Sequence, residues 1–229
     1  MGHILLAGLA GLVVLSLGAC ERRETAQPSI PPPAKLAADA SDAGPLAAAE
    51  PFRALATAAF TARLPVLDRD IVRAVAIARH VEPALPPDAQ RELRTQLDAI
   101  AGARRIGNRA GIAWASVEIY RLLVSHAPPT LVPREVSLLR YASLRYEADL
   151  KARPVSWDDM VEAADFGRRT WAAIQDRVSD ATLRERMSKA LADLADAARR
   201  RDAALAVEAN GRALELAGLL EAHLAARRQ

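Results

Sequence analysis

The chain has 229 residues, and its 31 basic and 28 acidic residues give a nearly balanced net charge of +3. Nucleic-acid binders usually combine clustered Lys and Arg with stacking aromatics. Here the basic runs are short and aromatic residues make up only 4% of the chain, so we expect no nucleic-acid partner. The single cysteine excludes an intrachain disulfide and a cysteine-based metal site.

An apolar segment lies at the start of the sequence. Residues 4–19 contain one polar side chain, Ser16, and this length is short for a membrane span but typical of a signal-peptide core. The segment ends in Leu17-Gly18-Ala19-Cys20 and charged residues follow at once. This pattern resembles the lipobox of bacterial lipoproteins, in which an aliphatic residue and two small residues precede a cysteine.

The resemblance implies a lipid anchor. Residues 1–19 would be removed as a signal peptide, and acyl chains such as palmitate would be attached at Cys20, each buried CH₂ contributing about 0.8 kcal/mol. Because Glu21 rather than aspartate follows the cysteine, we expect the outer membrane, with the inner membrane as the alternative and the folded part facing the periplasm.

One feature departs from the lipoprotein pattern. Only the Met1 amine and His3 precede the apolar run, where Lys or Arg is usual. Either the start codon is misassigned or the charge is not required. An uncleaved anchor helix and a signal without lipid are the competing interpretations.

Residues 20–46 are expected to be the lipidated cysteine and a Pro/Ala-rich linker. The stretch Gln27–Pro33 contains four prolines, and no apolar periodicity follows it. Proline fixes φ and removes a backbone donor, so this composition predicts a semi-extended tether.

Helical signals repeat along the rest of the chain, with apolar residues at helical spacing between proline-containing breaks. The predicted helices cover about 48–62, 68–82, a segment capped by Asp88, a segment capped by Asn108, 134–152, 157–177 after Ser156, a segment from Asp180 and a segment from Asp202. Val72 and Leu219 are among the apolar residues assigned to the stripes. No segment shows sustained period-two alternation, so the predicted fold class is all-α, a helical bundle.

The helices also indicate an internal repeat. Ala62-Arg63-Leu64-Pro65-Val66 resembles Ala152-Arg153-Pro154-Val155, and other matches recur 89 to 94 residues apart. We therefore predict two repeated four-helix units, 47–130 and 131–229, packed as two bundles or as one longer array. Alanine-rich composition is the alternative source of the similarity.

Two segments resemble uncharacterised all-helical periplasmic proteins of proteobacteria. These are the stretch from Val132 to Glu147 and the motif Ala206-x3-Asn210 in the last helix. The resemblance implies an exported all-α protein and brings no known activity.

Signals for catalysis or metal binding are weak. His80, His126 and His223 are solitary in sequence, and the acids around Asp158 fit the first turn of a helix, where the macrodipole favours them. No nucleophile with a paired base and no phosphate-binding loop occurs in the sequence. We expect no catalytic residue, no metal, no cofactor and no enzymatic activity.

Aromatic residues concentrate in the middle of the chain. A candidate ligand-binding set consists of Trp114, Tyr141, Arg145, Tyr146 and Trp171, which could line an apolar groove between the two halves and accept an anionic or peptide ligand. The competing interpretation is that they form the core between the halves.

Together these patterns predict a membrane-anchored, periplasm-facing lipoprotein that acts as a non-enzymatic scaffold or adaptor for an envelope protein partner. The alternative is a small-ligand or metal-binding accessory protein that uses a groove between the helical halves.

Overall fold

The computed structural model describes residues 44–226, in which eight α-helices follow one another and no strand occurs. The helices are α1 (Pro45–Thr61), α2 (Leu64–Val81), α3 (Pro87–Arg105), α4 (Arg109–Ser125), α5 (Arg134–Lys151), α6 (Trp157–Ala172), α7 (Ala181–Arg200) and α8 (Ala203–Ala226). Short 3₁₀ turns follow α2 and α6. The predicted all-α fold class is confirmed.

Helix α4 lies at the centre of the first core. This helix packs against α1, α3 and α5, and most of its residues are buried because its sequence is apolar or small on nearly every face. Phe52, Leu93 and Leu123 are fully enclosed in this core. Each side chain of this size contributes about 1.5–3 kcal/mol through removal from water.

The last four helices form a second core. Here α5 packs against α6 and α8, while α7 lies against both α6 and α8. Helix α5 serves both cores, since Tyr141, Leu144 and Ala148 belong to the first and Leu139 and Tyr146 to the second. The two cores are therefore joined along one helix that is buried on two faces.

The ends of α3 and α7 have the same backbone geometry. Gly107 and Arg201 adopt left-handed conformations with φ of 69° and 54°. The next residues, Asn108 and Asp202, donate their amides to the carbonyls five positions earlier at 2.8 and 2.9 Å, the bond typical of a Schellman motif. Both side chains then cap the following helix, at 2.9 and 3.0 Å from the amide three positions later. This agreement supports a duplication, which stays a prediction.

Several predicted helix starts were wrong or only partly right. Helix α2 begins at Leu64 because Pro65 can occupy the first turn, so Asp68 lies inside the helix, where its Oδ1 is 2.6 Å from Arg104 Nε. Helix α3 begins at Pro87 for the same reason, and Asp88 lies in its first turn rather than at the cap. The predicted cap Asn108 is confirmed, and Asp180, predicted to start the seventh helix, caps α7 through its side chain.

Other helix boundaries, one predicted cap and the burial of two apolar residues also differ from the predictions. Helix α1 starts at Pro45, two residues inside the segment given to the linker, and α6 ends at Ala172 because a 3₁₀ turn replaces its last predicted residues. Ser156 precedes α6 but makes no capping bond through its side chain. Val72 is 67% exposed and Leu219 44% exposed, so neither belongs to a core.

One arginine links α4 to the end of α1. Arg109 Nη1 donates to the carbonyls of Ala59 and Ala62 at 2.7 and 2.9 Å. The last carbonyls of a helix have no partner within it, and a cation there also offsets the negative end of the dipole. This contact fixes the register of α1 on α4.

The predicted signal peptide, Cys20 and most of the linker lie outside the described residues. Their assignment stays a prediction.

Candidate functional site

Three of the five predicted ligand-binding residues meet at the junction of the two cores. Trp114 lies on α4, whereas Tyr141 and Arg145 lie one turn apart on α5. The guanidinium carbon of Arg145 is 5.7 Å from the centre of the Trp114 ring, and its Nη1 is 3.2 Å from the Tyr141 hydroxyl oxygen. Helices α4 and α5 therefore place a cation, a phenol and an indole in one cluster.

The other two predicted residues are held elsewhere. Tyr146 donates its hydroxyl to the carbonyl of Leu194 at 2.9 Å, and burial raises the pKa of its phenol. Trp171 Nε1 donates to Ser188 Oγ at 2.9 Å. Both side chains belong to the second core, so they do not share a groove with Trp114.

Glu118 is the centre of the junction. This buried carboxylate accepts a hydrogen bond from the Tyr141 hydroxyl at 2.9 Å and one from Arg121 Nε at 2.9 Å, and Arg145 Nη1 lies 3.4 Å from it. Arg121 also pairs with Glu92 on α3. A buried charge is stable only when it is paired and hydrogen-bonded, and here residues of α4 and α5 provide those partners.

Tyr141 is kept protonated by its surroundings. Burial, reinforced by the negative charge of Glu118, raises the pKa of its phenol to about 12, although Arg145 opposes this shift. Its ring packs edge-on against Phe166 of α6, with 5.1 Å between centroids and 82° between ring planes. The hydroxyl can therefore act as a fixed donor to Glu118 but not as a base near neutral pH.

Asp149 is a buried acid of the cluster with an incomplete set of hydrogen bonds. It is 3% exposed, and neither its Oδ2 nor Nε of Arg145, 3.9 Å away, has a hydrogen-bond partner among the described residues. Burial raises the pKa of the Asp149 carboxyl to about 7; Arg145 opposes this shift, and the negative charges of Asp159, Glu118 and Glu162 add to it. The carboxyl therefore changes its charge near neutral pH.

A small recess opens beside this cluster. It has a volume of about 230 Å³, and its walls include Tyr141, Arg145, Glu162, Phe166 and Arg169. Two of its charged groups approach each other, since Arg145 Nη2 lies 3.9 Å from Glu162 Oε2. The recess is smaller than the pockets of about 300–1,000 Å³ that usually hold small ligands.

A wider cleft lies where α4 leads into α5. Its volume is about 660 Å³, and the segment connecting these helices forms one wall. The lining residues are Leu46, Glu50, Tyr120, Val124, Ala127, Pro128, Pro129, Thr130, Leu131, Val132, Pro133, Arg134, Glu135, Ser137, Arg140, Arg177, Glu221 and Ala225. The start of α1 and the end of α8 complete it.

The cleft combines exposed apolar side chains with a charged rim. Leu131 is 64% exposed and Leu46 37% exposed, although both are apolar. On the rim, Arg140 Nη2 lies 2.8 Å from Glu221 Oε2. A second hollow of about 590 Å³ shares Glu50, Arg140 and Glu221 with the cleft, so the surface continues between α1, α5 and α8.

Two hydrogen bonds fix the segment that forms the wall of the cleft. Arg134 Nη1 donates to the carbonyl of Ser125 at 3.2 Å, which ties the start of α5 to the end of α4. Thr130 Oγ1 donates to the carbonyl of Val132 at 2.7 Å. Prolines in the connecting segment cannot extend either helix, so it crosses the surface as an irregular strap.

Among the described residues, His80, His126, His223 and the acids around Asp158 are not gathered at one point. No group of three or more His, Cys, Asp or Glu side chains that could hold a metal ion occurs within residues 44–226. His223 Nε2 is 3.3 Å from Ser179 Oγ, and Asp165 is 3.5 Å from Arg168 Nη1.

Sequence reasoning missed Glu118, Asp149 and the cleft. Glu118 is the sole acidic residue of α4, and an isolated acid in such an apolar helix was an available signal. Arg145 and Asp149 have the i, i+4 spacing of a helical pair. No local sequence pattern predicted the cleft, because its walls come from segments that are distant in sequence.

No protein-family model, no curated protein and no solved structure matches the chain. The resemblance to bacterial lipoproteins and to helical periplasmic proteins therefore stays a prediction. No α-helix formed by residues 44–226 combines the length and apolarity needed to cross a bilayer.

Proposed function

We propose that this chain is a bacterial lipoprotein, held through acylated Cys20 on the periplasmic face of the outer membrane, that acts as a non-enzymatic adaptor for an envelope protein. The observation that carries the adaptor role is the open cleft with its exposed leucines, Leu46 and Leu131. Exposed apolar side chains grouped in a concave surface are characteristic of sites that bind another chain. The inner membrane remains the alternative location.

The position of the cleft favours a partner near the membrane. Leu46 lies two residues after Gly44, and the linker therefore reaches the folded part at the cleft itself. The mixed rim of arginines and glutamates orients the partner, while the exposed leucines supply most of the affinity. An extended segment with a few apolar side chains fits these features.

The lipid anchor is tested by metabolic labelling with a palmitate analogue. The wild-type chain should incorporate the label and separate with membranes, and Cys20→Ser should lose both properties. An unlabelled wild-type chain, or one that still carries residues 1–19, would refute the anchor.

The adaptor role is tested by photo-crosslinking in cells. A crosslinking amino acid at position 131 should yield one defined protein adduct, and the same amino acid at position 207 should not. Val207 is a matched control, since it is 63% exposed and lies 14 residues before Glu221 on α8, about 21 Å along the helix. Equal adducts from both positions would contradict a specific interface.

The competing function, binding of a small ligand, is favoured by one observation, the recess beside Tyr141 and Arg145. Mass spectrometry distinguishes this function from the adaptor role. The measurement is made on the small molecules that the purified protein releases when it is denatured. A stoichiometric compound together with no adduct at position 131 would replace the adaptor role.

A further inference from the structure

One guanidinium at the junction of the two cores is shared among three carboxylates. Arg145 lies 3.4 Å from Glu118 of α4, 3.9 Å from Asp149 one turn further along α5 and 3.9 Å from Glu162 of α6. A hydrogen bond from nitrogen to oxygen usually spans about 2.7–3.2 Å, so each of these distances is longer than a well-formed bond. The guanidinium therefore lies between its acidic neighbours and forms a close ion pair with none of the three.

The contact with Asp149 leaves a donor and an acceptor unused. Nε of Arg145 and Oδ2 of Asp149 are both buried without a hydrogen-bond partner among the described residues, and these are the two atoms that lie 3.9 Å apart. A buried polar atom without a partner costs free energy, and the cost is larger when the group is charged. A movement of about 1 Å would bring these two atoms into hydrogen-bonding range.

The other contacts of Arg145 would change with such a movement. Its Nη1 lies 3.2 Å from the Tyr141 hydroxyl oxygen, and its guanidinium carbon lies 5.7 Å from the centre of the Trp114 ring. Arg145 and Glu162 also form part of the wall of the recess. A displaced guanidinium would therefore alter the contact between α4 and α5 and the shape of the recess together.

Asp149 changes its charge in the neutral range of pH. Its carboxyl interacts with Arg145 on its own helix, with Glu118 of α4 and with Asp159 and Glu162 of α6. Burial raises the pKa of this carboxyl to about 7; Arg145 opposes the shift and the three acids add to it. A neutral carboxyl can do without a cation, whereas a buried carboxylate needs one beside it.

We propose that Arg145 has two positions at the junction and that the charge of Asp149 selects between them. While the carboxyl is neutral, the guanidinium stays with Glu118 and Tyr141. Once the carboxyl is ionised, Arg145 moves to pair through Nε with Oδ2 of Asp149, and its distance from the Trp114 ring changes. The junction is then a pH-sensitive switch. This inference rests neither on the lipid anchor nor on the adaptor role.

Nuclear magnetic resonance of the purified full-length protein tests the switch with two probes. Isotope-labelled aspartate reports the charge of Asp149 through its carboxyl carbon, and fluorinated tryptophan reports the surroundings of Trp114. The chain has three tryptophans, so Trp114→Phe assigns the fluorine signal by its loss. We expect both signals to titrate with the same midpoint, near pH 7. A Trp114 signal that stays constant while Asp149 titrates would overturn the inference.

Two acid-to-amide variants identify the group that drives the change. Asp149→Asn should abolish the pH dependence of the Trp114 signal, whereas Glu162→Gln should retain it, although Glu162 lies at the same 3.9 Å from Arg145. The midpoint in Glu162→Gln should move to lower pH, because the Glu162 carboxylate raises the pKa of Asp149. If the Trp114 signal still titrates in Asp149→Asn, another group drives the change and the inference is wrong.

Arg145→Gln separates movement of the guanidinium from a direct effect of the new charge. Without this cation Asp149 should still titrate, with a midpoint at higher pH, because Arg145 lowers the pKa of that carboxyl. The Trp114 signal should no longer follow the titration. A signal that does follow it would mean that the carboxylate acts on the indole without Arg145, which would refute the switch. The wild-type titration needs no substitution, so a variant that fails to fold does not remove the test.

Discussion

Replacement of the buried acid at the junction should change how stability depends on pH. Asp149 has an ordinary carboxyl pKa of 3.8 that burial raises to about 7 in the folded protein. Because the folded-state pKa is raised, the stability contributed by the protonated carboxyl is fully present below pH 3.8 and is lost as pH rises through about 7. Asp149→Asn keeps the shape of the side chain and removes this titration.

The size of the expected change in stability follows from the shift in the pKa of Asp149. About three pKa units at 1.36 kcal/mol per unit correspond to a total of about 4 kcal/mol. Between about pH 4.5 and about pH 8, the free energy of unfolding of the wild type should fall relative to Asp149→Asn by about 3 kcal/mol. The stability of Asp149→Asn should therefore exceed that of the wild type by the largest amount at the higher pH.

Urea unfolding followed by circular dichroism at several pH values measures this difference. Asp98→Asn is the control, since Asp98 is an exposed acid on α3, and it should unfold like the wild type at each pH. A difference between Asp149→Asn and the wild type that stays constant with pH, or that shrinks as pH rises, would refute the argument that burial perturbs this carboxyl.

Four further substitutions test the packing and the backbone geometry, each by urea unfolding. Tyr141→Phe removes the hydroxyl that donates to Glu118 at 2.9 Å and should cost about 1–3 kcal/mol, because the buried carboxylate loses a partner; an unchanged midpoint would contradict the network. Arg201→Gly should stabilise the protein by about 1 kcal/mol, since φ is 54° there, and Gly107→Ala, at φ of 69°, should destabilise it by a similar amount; the reverse order would contradict the assigned backbone geometry. Gly167→Val should cost about 1–3 kcal/mol, because even a Cβ at this position would lie 3.1 Å from a side chain of α7, and a neutral effect would mean that α6 is not closely packed.

Local sequence determined the helices and most of their boundaries. Apolar spacing identified eight segments, and the cap at Asn108 was predicted from residue type alone, because a side-chain oxygen before a helix satisfies a free amide wherever the helix lies. Errors occurred where proline took the first turn, as at Pro65 and Pro87, since a starting proline competes with the acid that follows it.

The sequence also predicted part of the junction. Trp114, Tyr141 and Arg145 do come together, since α4 and α5 are neighbours in chain and in space. Tyr146 was misplaced because α5 is buried on two faces, and adjacent residues on such a helix point towards different cores. Periodicity identifies a buried face but not what that face contacts.

Only the tertiary structure decided the properties of Glu118, Asp149 and the cleft. The charge state of Asp149 depends on helices that remove water from it, and the cleft is formed by segments as far apart in the chain as Leu46 and Ala225. Secondary structure follows from interactions over a few residues, and these short-range preferences are written in the sequence. Desolvation and concave surfaces arise when distant segments meet, so they exist only in the folded chain.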